Sequence, residues 1–230
     1  MKSDYEIQNI ARAIVSFADS YVQNKQRKQN EYYESESTLS LTQVTSRIGS
    51  LSYQIIYNKG CKQVTRIPKL LQSLIALVTF RLGTHLREQT DLLRLQVRHQ
   101  SRWCLKQIQS FGDEYVQSEL VRQGFGRVMS FSFCTAGGVG EEQDEEINVG
   151  LGEIYSFLAN PHEGRYDVDD LYPSLQPLPL LARRTEEQIE EEGAIEEIEA
   201  QMNNNGNDGG IKYQTTWAKA ATLNRFINLD

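Results

Sequence analysis

The sequence predicts a mainly α-helical protein: a bundle of about four to five helices, a glycine-rich acidic linker and a less regular C-terminal extension ending in a short helix. Apolar residues recur every three or four positions through most of the first 130 residues, which is the spacing of one helical face. A hydrophobic fraction of 39% and a charged fraction of 24% are somewhat polar for a globular protein, without the depletion of apolar residues that marks disorder, so we expect a mostly folded chain. After residue 130, glycine, proline and carboxylates accumulate, so the regular bundle is expected to end there.

The first two helices are predicted from two matching apolar faces. The first face consists of Ile7, Ile10, Ile14, Phe17 and Tyr21. The second face consists of Leu41, Val44, Ile48, Leu51 and Ile55. Capping boxes at Ser3–Glu6 and Ser40–Gln43 predict where these helices begin, and Gly60 predicts where the second one ends.

A third helical region is predicted to begin near Pro68, because proline is tolerated in the first turn of a helix. Gly83 and Thr84 are expected to bend or break it. Periodicity resumes at Leu86 and continues to Val121, until the segment "RQGFGR" stops it. The segment "RVMSFSF" that follows predicts at most a short strand.

Charge divides the chain into a basic helical bundle at 1–130 and an acidic extension at 131–230. The first part holds 18 Lys and Arg against 11 Asp and Glu, and the second holds 6 against 20. Such asymmetry predicts a polyanion-binding part joined to an acidic part. The extension is divided into a linker at 131–152, a Pro-rich extended segment at 160–180, an acidic helix at 185–202 with a capping box at Thr185–Gln188, a flexible spacer at 203–210 and a terminal helix at 215–228.

The most informative basic segment is 59–106, where ten Lys and Arg face only Glu88 and Asp91 as acidic residues. On a helix, basic residues four apart form a ridge of positive charge, which matches the phosphates of RNA or single-stranded DNA. A tryptophan beside that ridge can stack on a base. The predicted nucleic-acid-binding residues are Arg87, Arg94, Arg98, His99, Arg102, Trp103 and Lys106.

Other interpretations of the same residues stay open. Eight Glu between residues 185 and 202 complement the basic ridge, so an internal electrostatic clasp or an acidic protein partner explains it equally. A solvated face is the third interpretation, and Trp103 is equally compatible with a core position. The two functions that remain are an assembly subunit that contacts nucleic acid, with its acidic tail modulating binding or docking on a neighbour, and a structural adaptor without nucleic acid. Both predict other protein subunits or a homo-oligomer as partners.

No catalytic or cofactor site is expected. The "GFG" at 124–126 lacks the third glycine of a dinucleotide site, and the glycines of "AGGVGEEQDEE" precede carboxylates that repel phosphate. The three histidines show no metal-binding spacing. The acidic turn "YDVDD" lacks the glycine and distal glutamate of an EF-hand. We therefore expect a non-enzymatic protein without cofactor or metal.

The expected location is the cytoplasm. Cys61, Cys104 and Cys134 are odd in number and widely spaced, which favours a reducing compartment. The apolar window at 70–80 is shorter than the roughly 20 residues that cross a bilayer, so no membrane contact is expected. In general character, residues 1–130 with their acidic tail resemble the small helical subunits of ribonucleoprotein complexes, such as RNA-guided defence effectors, and viral nucleoproteins. This resemblance concerns helical content and charge and involves no shared motif.

Overall fold

The computed structural model describes residues 2–26, 37–58, 60–82, 84, 86–132, 144–166 and 172–223. Within these ranges it contains eleven α-helices and no β-strand, so the prediction of a mainly helical protein is confirmed. The one isolated β-bridge in this part of the chain joins Arg165 to Leu175. The chain forms two compact units, Met1–Gly112 and Asp113–Asp230. The division falls at Gly112, whereas the charge pattern predicts it at residue 130.

The first unit is built around α2 and α5. Its helices are α1 (Lys2–Gln26), α2 (Thr38–Asn58), α3 (Cys61–Thr65), α4 (Leu70–Val78) and α5 (Glu88–Phe111). α2 packs against both α1 and α5, and α4 also packs against α1 and α5. The predicted apolar face of α2 is fully buried, because hydrophobic burial aligns the helix with its neighbours. Phe17 and Tyr21 of α1 pack on Phe80, with ring centroids 5.5 and 4.8 Å apart.

α2 begins at Thr38, two residues before the predicted capping box, so the capping box at Ser40–Gln43 is wrong. The backbone N–H of Ser40 donates to Oγ of Ser37 at 3.2 Å, which makes Ser37 the residue that caps the first turn. Ser40 therefore occupies the first turn itself. The predicted cap of α1 involves the side chain of Ser3, which lies outside the described residues.

The second unit contains shorter helices. They are α6 (Glu114–Arg122), α7 (Phe125–Met129), α8 (Asp144–Glu163), α9 (Pro179–Glu191), α10 (Ala194–Gln201) and α11 (Gly210–Thr222). α7 and a 3-10 turn at Ser130–Ser132 occupy the segment that predicted a short strand, so that prediction is wrong for its described part. α8 begins at Asp144, inside the predicted linker at 131–152, while 133–143 lie outside the described residues.

The predicted acidic helix at 185–202 is two helices. α9 starts at Pro179, and the helix is interrupted at Gly193, whose φ of 68° lies in the left-handed region that favours glycine. Thr185 is therefore inside α9 rather than at its start, and its hydroxyl donates to the carbonyl oxygen of Leu181 at 2.9 Å. The spacer at 203–210 includes a 3-10 turn at Asn207–Gly209, and α11 begins at Gly210 instead of residue 215.

No helix in the described part of the chain combines the length and the apolar character that crossing a membrane requires.

Candidate nucleic-acid interface

α5 carries six of the seven predicted binding residues, and its fold divides them into two stripes. The side chains of Arg94, Arg98 and Arg102 belong to residues that are only 3%, 3% and 6% exposed. His99 and Trp103 are exposed, and Lys106 is half-buried. Arg87 precedes the first turn of α5 and is exposed. The single solvent-facing ridge that the sequence predicts therefore does not include its three central arginines.

Two of the buried arginines hold the chain between α4 and α5. Nη1 of Arg98 donates to the carbonyl oxygen of Phe80 at 3.3 Å, just beyond the C-terminal end of α4. Nη1 of Arg94 donates to the carbonyl oxygen of Thr84 at 3.0 Å and lies 3.4 Å from Oδ1 of Asp91. Both acceptors lie beyond the last residue of α4, Val78, where the carbonyl oxygens are outside the helix and a guanidinium group supplies the donor. The arginines are buried because they satisfy backbone acceptors that no helix hydrogen bond reaches.

Arg94, Arg98, Arg102 and Lys106 are spaced by four along α5, and only the last of them reaches water. The geometry of the helix explains this difference. With 3.6 residues per turn, each step of four residues rotates a side chain by about 40° around the helix axis. Three steps from Arg94 to Lys106 therefore rotate the stripe by about 120°. The rotation starts on the buried side, next to α4, and ends at the half-buried Lys106.

The exposed stripe of α5 pairs an aromatic ring with a cation. Nζ of Lys106 lies 5.6 Å from the centroid of the Trp103 ring, within the range of a cation–π interaction. Trp103 is 40% exposed, so the alternative of a core tryptophan is wrong. His99 lies one turn before Trp103 on the same stripe.

The electrostatic asymmetry is larger between the two units than between the predicted halves. The first unit holds 16 Lys and Arg against 8 Asp and Glu, a formal charge of +8, and the second holds 8 against 23, a charge of −15. Residues 37–87 contain no Asp or Glu at all, and Glu88 and Asp91 are the only ones in 37–112. The carboxylate-free region thus extends beyond the basic segment at 59–106 and includes all of α2.

Sequence reasoning also missed two aromatic residues of α2. Tyr53 and Tyr57 are 57% and 67% exposed, and their ring centroids lie 4.5 Å apart. The signal was present in the helical period, because Tyr53 lies two residues after Leu51 and two before Ile55, on the side opposite the buried face.

The two described cysteines offer no accessible thiolate. Burial raises the pKa of Cys104 to about 12, against a smaller opposite effect of its hydrogen bond with Ser52. The thiol therefore stays protonated at neutral pH and is a poor nucleophile. Sγ of Cys61 is also buried and donates to the carbonyl oxygen of Ile108 at 3.3 Å.

Within the described ranges, no group of three or more His, Cys, Asp or Glu is arranged to hold a metal ion. Nε2 of His162 lies 2.6 Å from Oε1 of Glu186 and joins α8 to α9 in the second unit. The carboxylates of the acidic turn, Asp167, Asp169 and Asp170, lie outside the described residues.

Comparison with known proteins adds no family to these observations. A scan of the chain against models of known protein families finds no match. A search of curated proteins finds no significant similarity either. Any proposal on function therefore rests on the residues of this chain.

Proposed function

We propose that the protein is a non-enzymatic subunit of a larger assembly, and that it contacts RNA or single-stranded DNA through the exposed stripe of α5. The observation that carries the proposal is the Trp103–Lys106 pair, an exposed ring beside a cation on a helix without carboxylates after Asp91. A positive surface attracts the phosphate backbone, and an aromatic ring stacks on bases whatever their sequence. The contacts of this stripe come from His99, Trp103 and Lys106, and the exposed Arg87, just before the first turn of α5, is a separate proposed contact.

The buried arginines have a different part in this proposal. Arg94, Arg98 and Arg102 are too deeply buried to reach a ligand, and Arg94 and Arg98 position α5 against the chain that follows α4. Their charges still contribute to the positive potential of the first unit, since a buried charge is screened less than one in water. The acidic second unit modulates binding or docks on a neighbouring subunit. The proposed setting is the cytoplasm, where cysteines without a disulfide framework stay reduced.

A structural adaptor without nucleic acid is the second candidate. The observation that favours it is the burial of three predicted contact residues, which leaves fewer cations to meet phosphates. In this case the exposed stripe binds an acidic protein surface, and the partners are other subunits or a second copy of the chain.

Binding of a labelled single-stranded oligonucleotide at several salt concentrations separates the two functions. Nucleic-acid contact predicts affinity that falls steeply as salt rises, and Lys106→Glu should weaken binding and reduce the salt slope by roughly 1. Trp103→Ala should weaken binding with little change in slope, because stacking releases no counterions.

Lys212→Glu is the matched control, since it reverses an exposed lysine in the acidic unit. It should leave the slope unchanged. If the wild-type protein binds no strand at low salt, the adaptor function replaces the first proposal, and co-purification of a protein partner becomes the decisive measurement.

A further inference from the structure

The exposed tyrosines of α2 form a second aromatic surface on the basic unit. Tyr53 and Tyr57 are one helical turn apart, and their rings lie against each other at an interplanar angle of 36°. Single exposed aromatic side chains are common on protein surfaces. Two rings in contact, both more than half exposed, instead present a broad apolar face to water.

Two contacts between α2 and α5 place the tyrosine pair at the level of the α5 turn that carries Trp103. Oε1 of Gln100 lies 3.5 Å from the place that a Cβ on Gly49 would occupy, and a hydrogen bond joins Ser52 to Cys104. Both contacts match a later residue of α2 with a later residue of α5, so the two helices run in the same direction. Tyr53 follows Ser52 directly, and Trp103 directly precedes Cys104.

The charges around Tyr53 and Tyr57 favour a polyanion as the partner of this surface, and the two rings distinguish nucleic acid from an acidic protein. α2 contains no Asp or Glu, and its Arg47 is exposed. No carboxylate of α2 therefore repels a phosphate that approaches the rings. An acidic protein surface would need only cations on this protein. Apolar rings on a carboxylate-free surface instead suit a ligand that has both negative charge and flat aromatic groups.

We propose that Tyr53 and Tyr57 stack on unpaired bases of the same strand whose phosphates meet the exposed stripe of α5. This inference rests on the proposed function and extends it from one helix to two. It also defines the ligand class as single-stranded nucleic acid, because duplex bases are stacked on each other and do not present their faces to a side chain. RNA and single-stranded DNA satisfy it equally.

The test compares two labelled strands of the same length and charge, an oligothymidylate and an abasic DNA strand. The Tyr53→Ala/Tyr57→Ala protein should bind the oligothymidylate about tenfold more weakly than the wild type. Both proteins should bind the abasic strand equally, since that strand has phosphates but no bases. Tyr5→Ala, which removes an exposed tyrosine of α1, is the matched control and should bind both strands as the wild type does.

A second variant separates stacking from hydrogen bonding and from misfolding. Tyr53→Phe/Tyr57→Phe keeps both rings, so it should retain wild-type affinity for the oligothymidylate. Loss of binding in this variant overturns the inference, because the hydroxyl groups would then make the contact. An equal loss on both strands in the alanine variant overturns it too.

The failure of this inference differs from the failure of the proposed function. If the alanine variant binds the oligothymidylate as well as the wild type while Lys106→Glu still weakens binding, the tyrosines are not part of the site and the function stands. If the wild type binds neither strand at low salt, both proposals fall together.

Discussion

Arg98 shows how a charged side chain serves the fold of this protein. Its guanidinium group donates to the carbonyl oxygen of Phe80, and the ring of Phe80 packs on Phe17 and Tyr21. One side chain of α5 thus stabilises the end of α4 and the aromatic contact with α1. Hydrogen bonds that involve a charged group stabilise a protein by about 1.5–3 kcal/mol each, and a buried acceptor left alone is costly.

Arg98→Ala should therefore lower the free energy of unfolding by about 2 kcal/mol, measured by urea denaturation. Arg87→Ala on the same helix is the matched control, and it should change stability by less than about 0.5 kcal/mol because its side chain is exposed. Equal stability of the two variants would contradict the structural role of Arg98. For the same reason, Arg98→Glu is unsuited to a binding test, since it buries a carboxylate against a carbonyl oxygen.

At the scale of the elements, the ends of helices depend on single residues. Ser37 caps α2, Asp113 caps α6 by accepting from the N–H of Val116 at 3.2 Å, and Gly193 divides α9 from α10. A serine followed three residues later by Gln also occurs by chance. The pattern at Ser40–Gln43 therefore predicted a cap about one turn after the actual capping residue, Ser37. The backbone hydrogen bond to Ser37 identifies the cap directly.

Ser37→Ala should destabilise α2 by about 1 kcal/mol, because the N–H of Ser40 then loses its acceptor. The measurement is the midpoint of thermal unfolding, monitored by circular dichroism. Ser40→Ala provides the comparison, and a larger loss for that variant than for Ser37→Ala would restore the sequence-predicted cap.

At the scale of the whole molecule, the protein joins units of opposite charge in one chain. The formal charges of the two units, +8 and −15, are each larger in magnitude than the net charge of −7 for the whole chain. Such a chain attracts a polyanion with one unit and repels it with the other. Under the proposed function, we expect the acidic unit to weaken binding by the basic unit, most strongly at low ionic strength.

Neutralising exposed glutamates of the acidic unit should raise affinity for a single strand. The variant Glu190→Gln/Glu192→Gln/Glu196→Gln removes three negative charges from exposed positions of the second unit. We expect tighter binding at low salt and no difference at about 1 M salt, where the Debye length falls to about 3 Å. Fluorescence anisotropy with the same labelled strand measures both conditions. Unchanged affinity at low salt would show that the acidic unit does not modulate binding.

The sequence by itself determined that this chain is helical, where the apolar faces of α1 and α2 lie, and that charge is unevenly distributed along it. These properties are local, because a helix period and a charge count need only neighbouring residues. The spacing of charged and aromatic residues also predicted Trp103 and Lys106 as binding residues, and in the structure the lysine lies beside the exposed ring.

Only the tertiary structure decided which positive charges face water. Arg94 and Arg98 find their acceptors 10 and 18 residues earlier in the chain, on a segment whose path depends on how α4 packs against α5. The packing of α2 against α5 sets the direction of α2 and places Tyr53 at the level of the α5 turn that carries Trp103. A four-residue spacing specifies a stripe on a helix, but the neighbouring backbone decides whether that stripe is a surface or a set of internal hydrogen bonds.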